Sequence, residues 1–265
     1  MKRIVVKVGG ALLEGSLDSF WDQIETLMQD SEVVLIHGGG PQATRMARNL
    51  GHEPQIVEGR RITSEIDLQI VNWVIRGELN LDLVARAGSK GIRAAGLSGA
   101  DAGTILCTRR TPWQMNGQSV DFGHVGDFVS SDLTAVVALL SAGMLPIVCP
   151  PGIDAQGNLL NINADTIALE IACGLAADEL ILVTESGAVL SADQMAIRRM
   201  EREEANEGVE TGWIAGGMKV KTDIGFQALD RGVKAVWICG PESISSKSTG
   251  TQLVSQSTDQ SGSHG

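Results

Sequence analysis

Tyrosine is absent from these 265 residues, and phenylalanine and tryptophan bring the aromatic content to only 3%. A platform for stacking nucleic-acid bases is hard to build from so few rings. Cations are scarce as well: 21 Lys and Arg stand against 32 Asp and Glu, a formal charge of −11. That balance argues against nucleic acid or an anionic membrane as the main partner. No apolar stretch reaches the roughly 18 uncharged residues of a membrane span. Lys2 and Arg3 precede no apolar segment with a small-residue cleavage site, so no secretory leader is expected and the cytoplasm is the default compartment. Cys107, Cys149, Cys173 and Cys239 are far apart and never in CxxC spacing, which suits core thiols better than metal ligands or disulfides. Neither GxGxxG nor GxxxxGK[ST] occurs, which removes the dinucleotide fingerprint and the Walker P-loop.

Present instead are two apolar runs that each end in glycines. Ile4-Val5-Val6 leads into Lys7-Val8-Gly9-Gly10, and Val33-Val34-Leu35-Ile36 into His37-Gly38-Gly39-Gly40-Pro41. Glycines at strand ends let backbone N–H groups turn toward an anion and approach it closely. Pro41 fits the first turn of a helix whose N-terminus would aim at the same point. Lys7 stands where a fixed cation would neutralise a phosphoryl group in transfer. In an acidic chain, Lys7, Arg61, Lys219 and Lys221 are therefore the informative cations.

Further apolar runs at Leu145, Leu180 and Ala235 are short and β-branched, as buried strands are. Between them, Leu17, Phe20, Trp21, Ile24, Leu27 and Met28 follow helical spacing, as do Leu133, Val136, Val137 and Leu140. The alternation predicts an α/β fold, a three-layer αβα sandwich on a mainly parallel sheet with ligands at the carboxyl ends of its strands. Breaks at 55–62 and 105–128 predict hairpins at the sheet rim. Asn163 or Asp165 caps a helix running from Thr166 to about Cys173. Two lobes are expected, residues 1–175 and 176–252, with 253–265 as a disordered polar tail.

Lys7-Val8-Gly9-Gly10, His37-Gly38-Gly39-Gly40-Pro41-Gln42, Gly59-Arg60-Arg61-Ile62-Thr63, Asn161-Ile162-Asn163-Ala164-Asp165 and Gly216-Gly217-Met218-Lys219-Val220-Lys221 come in the order and rough spacing of the amino acid kinase family. Within that family they most resemble the acetylglutamate kinase subgroup, over residues 2 to about 240. The resemblance implies a carbamate-kinase-like fold and transfer of the γ-phosphoryl of ATP to the side-chain carboxylate of N-acetyl-L-glutamate. A carboxylate is already an ionised nucleophile, so positioning and charge stabilisation would suffice.

By the same resemblance, Lys7 and Lys221 would neutralise the transferring group and the leaving phosphate, and Asp165 would orient both ammonium groups. Gly9, Gly10, Thr184, Glu185 and Lys219 would serve the nucleotide. Gly39, Gly40, Asn161 and Asn163 would line the acid site, and Arg61, rather than Arg60, would clamp the α-carboxylate, since only Arg offers a planar fork. Magnesium would be held through ATP phosphates and water, without a protein carboxylate cage. His37 reads as a packed strand-end residue, because the acceptor needs no base. Gly96-Leu97-Ser98-Gly99-Ala100 is a near miss to GxSxG that lacks the last glycine.

The chain departs from the family at Glu185, where members usually carry aspartate. The first strand starts close to Met1, without the N-terminal helix of arginine-inhibited members, which implies a homodimer without arginine feedback. Two other functions share the motifs: a kinase for α-aminoadipate or glutamate attached to an acidic carrier protein, and a silent ligand-binding or regulatory module.

Overall fold

The computed structural model describes residues 1–255 apart from 16, 58, 59 and 116. Gly59 of the third motif and the end of the expected tail thus lie outside the described residues. An eight-stranded sheet runs in the order β14-β16-β15-β13-β1-β2-β10-β5. Its strands are β1 (Lys2–Val8), β2 (Ser31–His37), β5 (Ala94–Ser98), β10 (Leu145–Cys149), β13 (Glu179–Val183), β14 (Arg199–Glu201), β15 (Ala235–Cys239) and β16 (Thr251–Val254). From β5 to β15 every neighbouring pair is parallel, whereas β16 pairs antiparallel with β15 and carries β14 beside it. The two expected lobes therefore share one sheet, with β13 hydrogen-bonded directly to β1.

Alternation along the central strands sorts the core into two faces. Val5, Val34, Ile36, Leu180 and Leu182 pack with helices α5 (Thr134–Ser141), α6 (Ala164–Gly174), α7 (Arg202–Thr211) and α8 (Gly216–Asp230). Ile4, Val6, Val33, Leu35 and Ile181 pack with Phe20, Trp21, Ile24 and Leu27 of α1 (Asp18–Met28) and with Leu83 and Ala87 of α4 (Asn80–Ser89). Strands apolar on both faces with helices on each side make a three-layer sandwich.

Two features depart from expectation. A continuous helical run, α3 (Glu65–Val71) leading through a π-helical segment (Asn72–Leu79) into α4, has too little periodicity contrast to be read from sequence. The boundary expected at residue 252 falls inside β16, where Leu253 is 1% exposed and packs into the core. Polar composition hid that strand, because only alternate residues of it face inward.

The rim holds the small pieces: β3 (Ile56–Val57) with β4 (Arg60–Arg61), β7 (Trp113–Met115) with β8 (Gln118–Val120), and a four-stranded sheet of β12 (Leu159–Leu160), β11 (Gly152–Ile153), β6 (Leu106–Arg109) and β9 (Gly126–Ser130). Bridges from Thr63 to Gly123 and from Val125 to Asn161 tie these pieces to the site described next.

Candidate active site

β1 and β2 lie side by side, so their glycine turns meet. Gly38 N donates to Val8 O at 3.3 Å, and Gln42 Nε2 donates to Gly10 O at 2.6 Å. A Cβ on Gly10 would fall 2.9 Å from Gly39 Cα, so the turns touch only with glycine at position 10, while a Cβ on Gly39 would fall 2.6 Å from Leu79 Cδ1. Helix α2 (Gly40–Asn49) starts there with Pro41 in its first turn, and its uncapped N–H groups keep their partial positive charge available.

Lys7, next to last in β1, has a side chain only 6% exposed. Asp165, in the first turn of α6, lies opposite, and each of its carboxylate oxygens is 2.9 Å from Lys7 Nζ. Hydrogen-bond geometry is met at Oδ2, while buried Oδ1 has no hydrogen-bond partner among the described residues. Asn163 caps α6 by accepting from Asp165 N at 2.9 Å, so the cap also fixes where the carboxylate begins.

Lys221, half-buried on α8, completes the cluster. Burial pushes its ammonium pKa below the ordinary lysine value, the charge of Lys7 pushes it further, and Asp165 pulls the other way. Lys219 is exposed on the same helix. Of the two lysines in the motif, Lys221 is the one in electrostatic contact with Lys7 and Asp165. Gly216, with φ of 53°, turns the chain into α8 in a backbone region that favours glycine.

Lys7, Gly39, Gly40, Arg61, Asn161 and Asn163 line one cavity of about 260 Å³. Arg61 donates to Thr44 Oγ1 and, at 3.4 Å, to Gly40 O, both on α2. Asn161 Nδ2 donates to Thr63 Oγ1 at 3.1 Å. Gly40 and Arg61 also border an open groove of about 730 Å³, where Arg45 and Arg48 pair with Glu14 and Glu53.

Thr184 and Glu185 do not line the cavity. They follow β13, where Thr184 N donates to Cys239 O at 2.9 Å and Glu185 is exposed. His37 is fully buried at the end of β2. Asn80 Oδ1 accepts from Arg76, so its Nδ2 donates to His37 Nε2 at 3.0 Å, and the ring donates from Nδ1 to Gly38 O at 2.8 Å. The neutral tautomer thus braces the glycine turn from behind, and burial lowers its pKa to about 4. Ser98 donates to Asp101 instead of facing a base. Cys107, Cys149 and Cys239 are buried, which pushes each thiol pKa up to about 12 and keeps it unreactive.

Sequence reasoning missed Asp67 and His52, which stand behind Arg61. The capping pattern Ser64-x-x-Asp67 was the available signal.

Known proteins similar to this chain point to one family. The model of the amino acid kinase family matches residues 2–240. A protein of Anaeromyxobacter dehalogenans named acetylglutamate kinase is 39% identical over 248 residues, covering 91% of this chain and 92% of its own. One of Cytophaga hutchinsonii with the same name is 37% identical over 266 residues, covering 96% and 98%. Among solved structures, smu.665 from Streptococcus mutans superposes with a TM-score of 0.83 at 24% identity over 95% of this chain and 98% of that one. Giardia carbamate kinase does so with a TM-score of 0.66 at 14% identity, over 96% and 99%. At such identities the structures speak for the fold alone. Family match, identity and coverage together establish that the chain belongs to the amino acid kinase family.

Proposed function

We propose that this protein phosphorylates the side-chain carboxylate of N-acetyl-L-glutamate with ATP, as an enzyme of arginine biosynthesis. The observation that carries the reading is a cavity lined together by Lys7, which Asp165 holds from outside it, by the glycine turns and by Arg61. Such a cavity offers a fork for one carboxylate and a cationic, amide-lined point where phosphate passes to another.

In this reading a carboxylate oxygen of the acid forms a bond to the γ-phosphorus. The bond from that phosphorus to the bridging oxygen breaks, and its electron pair leaves with ADP. No proton is abstracted, so buried, neutral His37 has no part in the chemistry. Lys7 and Lys221 balance the negative charge spread over the transferring group, and Asp165 keeps Lys7 aimed at it. Arg61 receives the α-carboxylate, with Asn161 and Asn163 beside it. Gly9 and Gly10 serve the nucleotide from the turn after β1, and Thr184, Glu185 and Lys219 from the lobe that follows residue 175.

Among the described residues no group of three or more His, Cys, Asp or Glu side chains converges. Asp165 is engaged by Lys7, so Mg²⁺ is assigned to the phosphate oxygens, where it would screen their charge. We assign the protein to the cytoplasm; no helix of the described residues is long and apolar enough to cross a membrane. We assign it also to a homodimer, for which exposed Ile66, Trp73 and Leu81 along the α3 to α4 run supply apolar surface.

In a second reading the acid is carried on an acidic protein docking at the groove beside the cavity, where Arg45 and Arg48 would exchange Glu14 and Glu53 for the partner's carboxylates. Trapping the acyl phosphate with hydroxylamine separates the two. Hydroxamate formed from free N-acetyl-L-glutamate and ATP supports the first; its absence overturns that reading.

A further inference from the structure

Arg61 is followed at once by the start of α3, and the two share a carboxylate. Ser64 caps α3 in a capping box: Asp67 N donates to Ser64 Oγ at 3.3 Å, and Ser64 N donates back to Asp67 Oδ2 at 3.2 Å. The Ser64 hydroxyl also donates to Oδ2. The cap therefore uses only one of the two carboxylate oxygens.

The other oxygen faces the site. Asp67 Oδ1 lies 3.5 Å from an Nη1 of Arg61 and 3.1 Å from His52 Nε2. Asp67 is 3% exposed and Arg61 13% at their side chains. A capping box by itself works at the surface, and burying an ionised carboxylate is costly unless cations and donors surround it. Burial pushes the Asp67 carboxyl up, but the hydrogen bonds from Ser64 and the nearby His52 ring outweigh it and leave it below the usual range. It stays charged beside the arginine.

Arg61 has few other restraints: Thr44 Oγ1 and a long contact to Gly40 O, both from α2. A free arginine side chain samples many rotamers, and fixing its fork in advance strengthens carboxylate binding by removing that entropic cost. The guanidinium is thus slung between the N-terminal half of α2 and the first turn of α3, and Arg61 lines the cavity.

We propose that Asp67 is the positioning residue for Arg61, acting through Oδ1 to hold the guanidinium fork ready for the acid. The inference rests on the reading that Arg61 receives the α-carboxylate of the acceptor. Asp67 never touches the acid in this account. Its effect is confined to acid binding.

Steady-state kinetics test it. Asp67→Asn removes the charge. Asp67→Glu keeps the charge and the Glu of the usual capping box, so α3 stays capped while the added methylene displaces the carboxylate from Arg61. Both variants are expected to raise KM for N-acetyl-L-glutamate about tenfold with kcat and KM for ATP within about twofold, the pattern of lost ground-state binding. Ser64→Ala breaks the cap yet leaves Oδ1 in place, so it is expected to lower Tm without moving KM. In an Arg61→Ala background, Asp67→Glu is expected to add nothing, because its partner is gone. An unchanged KM in Asp67→Glu, while Arg61→Ala raises KM, overturns the inference and leaves the acid site standing. An unchanged KM in Arg61→Ala itself overturns the acid-site reading, and the inference with it.

Discussion

Lys7 Nζ lies 2.9 Å from both carboxylate oxygens of Asp165, a buried contact that joins the end of β1 to the first turn of α6. Removing one member of a buried pair leaves the other charge without a partner. Lys7→Ala is expected to lower kcat by about two to three orders of magnitude with a modest change in KM, as loss of a cation acting on developing charge does. A kcat within a few fold of wild type, measured by coupled ADP release, would contradict the assigned role.

Lys221 sets an alkaline limit. It must be protonated to balance phosphate charge, and burial together with Lys7 lowers its pKa below the ordinary lysine value of 10.5. Activity is therefore expected to fall as pH rises through a value under 10.5, and the fall should appear in kcat/KM, which reports the free enzyme. Lys221→Arg is expected to move that limb upward, because guanidinium does not lose its proton in this range. A pH profile that is the same in both proteins would remove Lys221 from the site.

His37 gives the opposite limb in stability. The unfolded chain binds its proton near 6.5 and the folded chain only near 4, because the ring is buried between Asn80 and the Gly38 carbonyl. Protonation thus favours unfolding, so this contribution to stability is fully present above 6.5 and is lost as pH falls toward 4. The loss amounts to about 3 kcal/mol at the usual conversion of pKa to free energy. Urea unfolding at neutral and acid pH should show it, and His37→Gln should lose less stability on acidification than wild type. An equal loss in both would exclude this residue as the cause.

The far ends of α6 and α8 are joined by Glu170 and Arg231, a two-pronged pair at 2.7 Å for each bond. Glu170 is 8% exposed, whereas Arg231 is 43% exposed and well screened. Arg231→Ala is expected to cost about 1–2 kcal/mol, below the range for fully buried pairs because water can reach the partner. Since α6 carries Asp165 and α8 carries Lys221, kcat should fall as well, and Arg231→Lys should recover part of both. Thermal unfolding and kcat of the two variants check this; an unchanged Tm in Arg231→Ala would show the pair to be ornamental to the fold.

The parts of the fold visible in advance were those with strong local patterning. The strands at Ile4, Val33, Leu145, Leu180 and Ala235 are apolar on both faces, and α1 and α5 carry single apolar stripes. β16 escaped because it is short and half polar, with buried Thr251 among its inward residues, and its partner on the sheet is set by chain return, not by local preference. The site divides in the same way. Glycine motifs pointed to anion contact, but nothing local pairs Asp67 with an arginine six residues before it, because the contact depends on how β4 meets α3.

Composition and periodicity by themselves determined a protein with helices on both faces of a mainly parallel sheet, glycine turns at its strand ends and few cations to spare. Those properties follow from short-range physics: backbone sterics, burial of alternate residues and capping. Only the tertiary structure decided that Lys7 faces Asp165, that Lys221 and not Lys219 is in electrostatic contact with that pair, and that one oxygen of Asp67 turns to Arg61. Such choices rest on the crossing of helices and strands distant in the chain, where a displacement of about one ångström separates a bound charge from a solvated one.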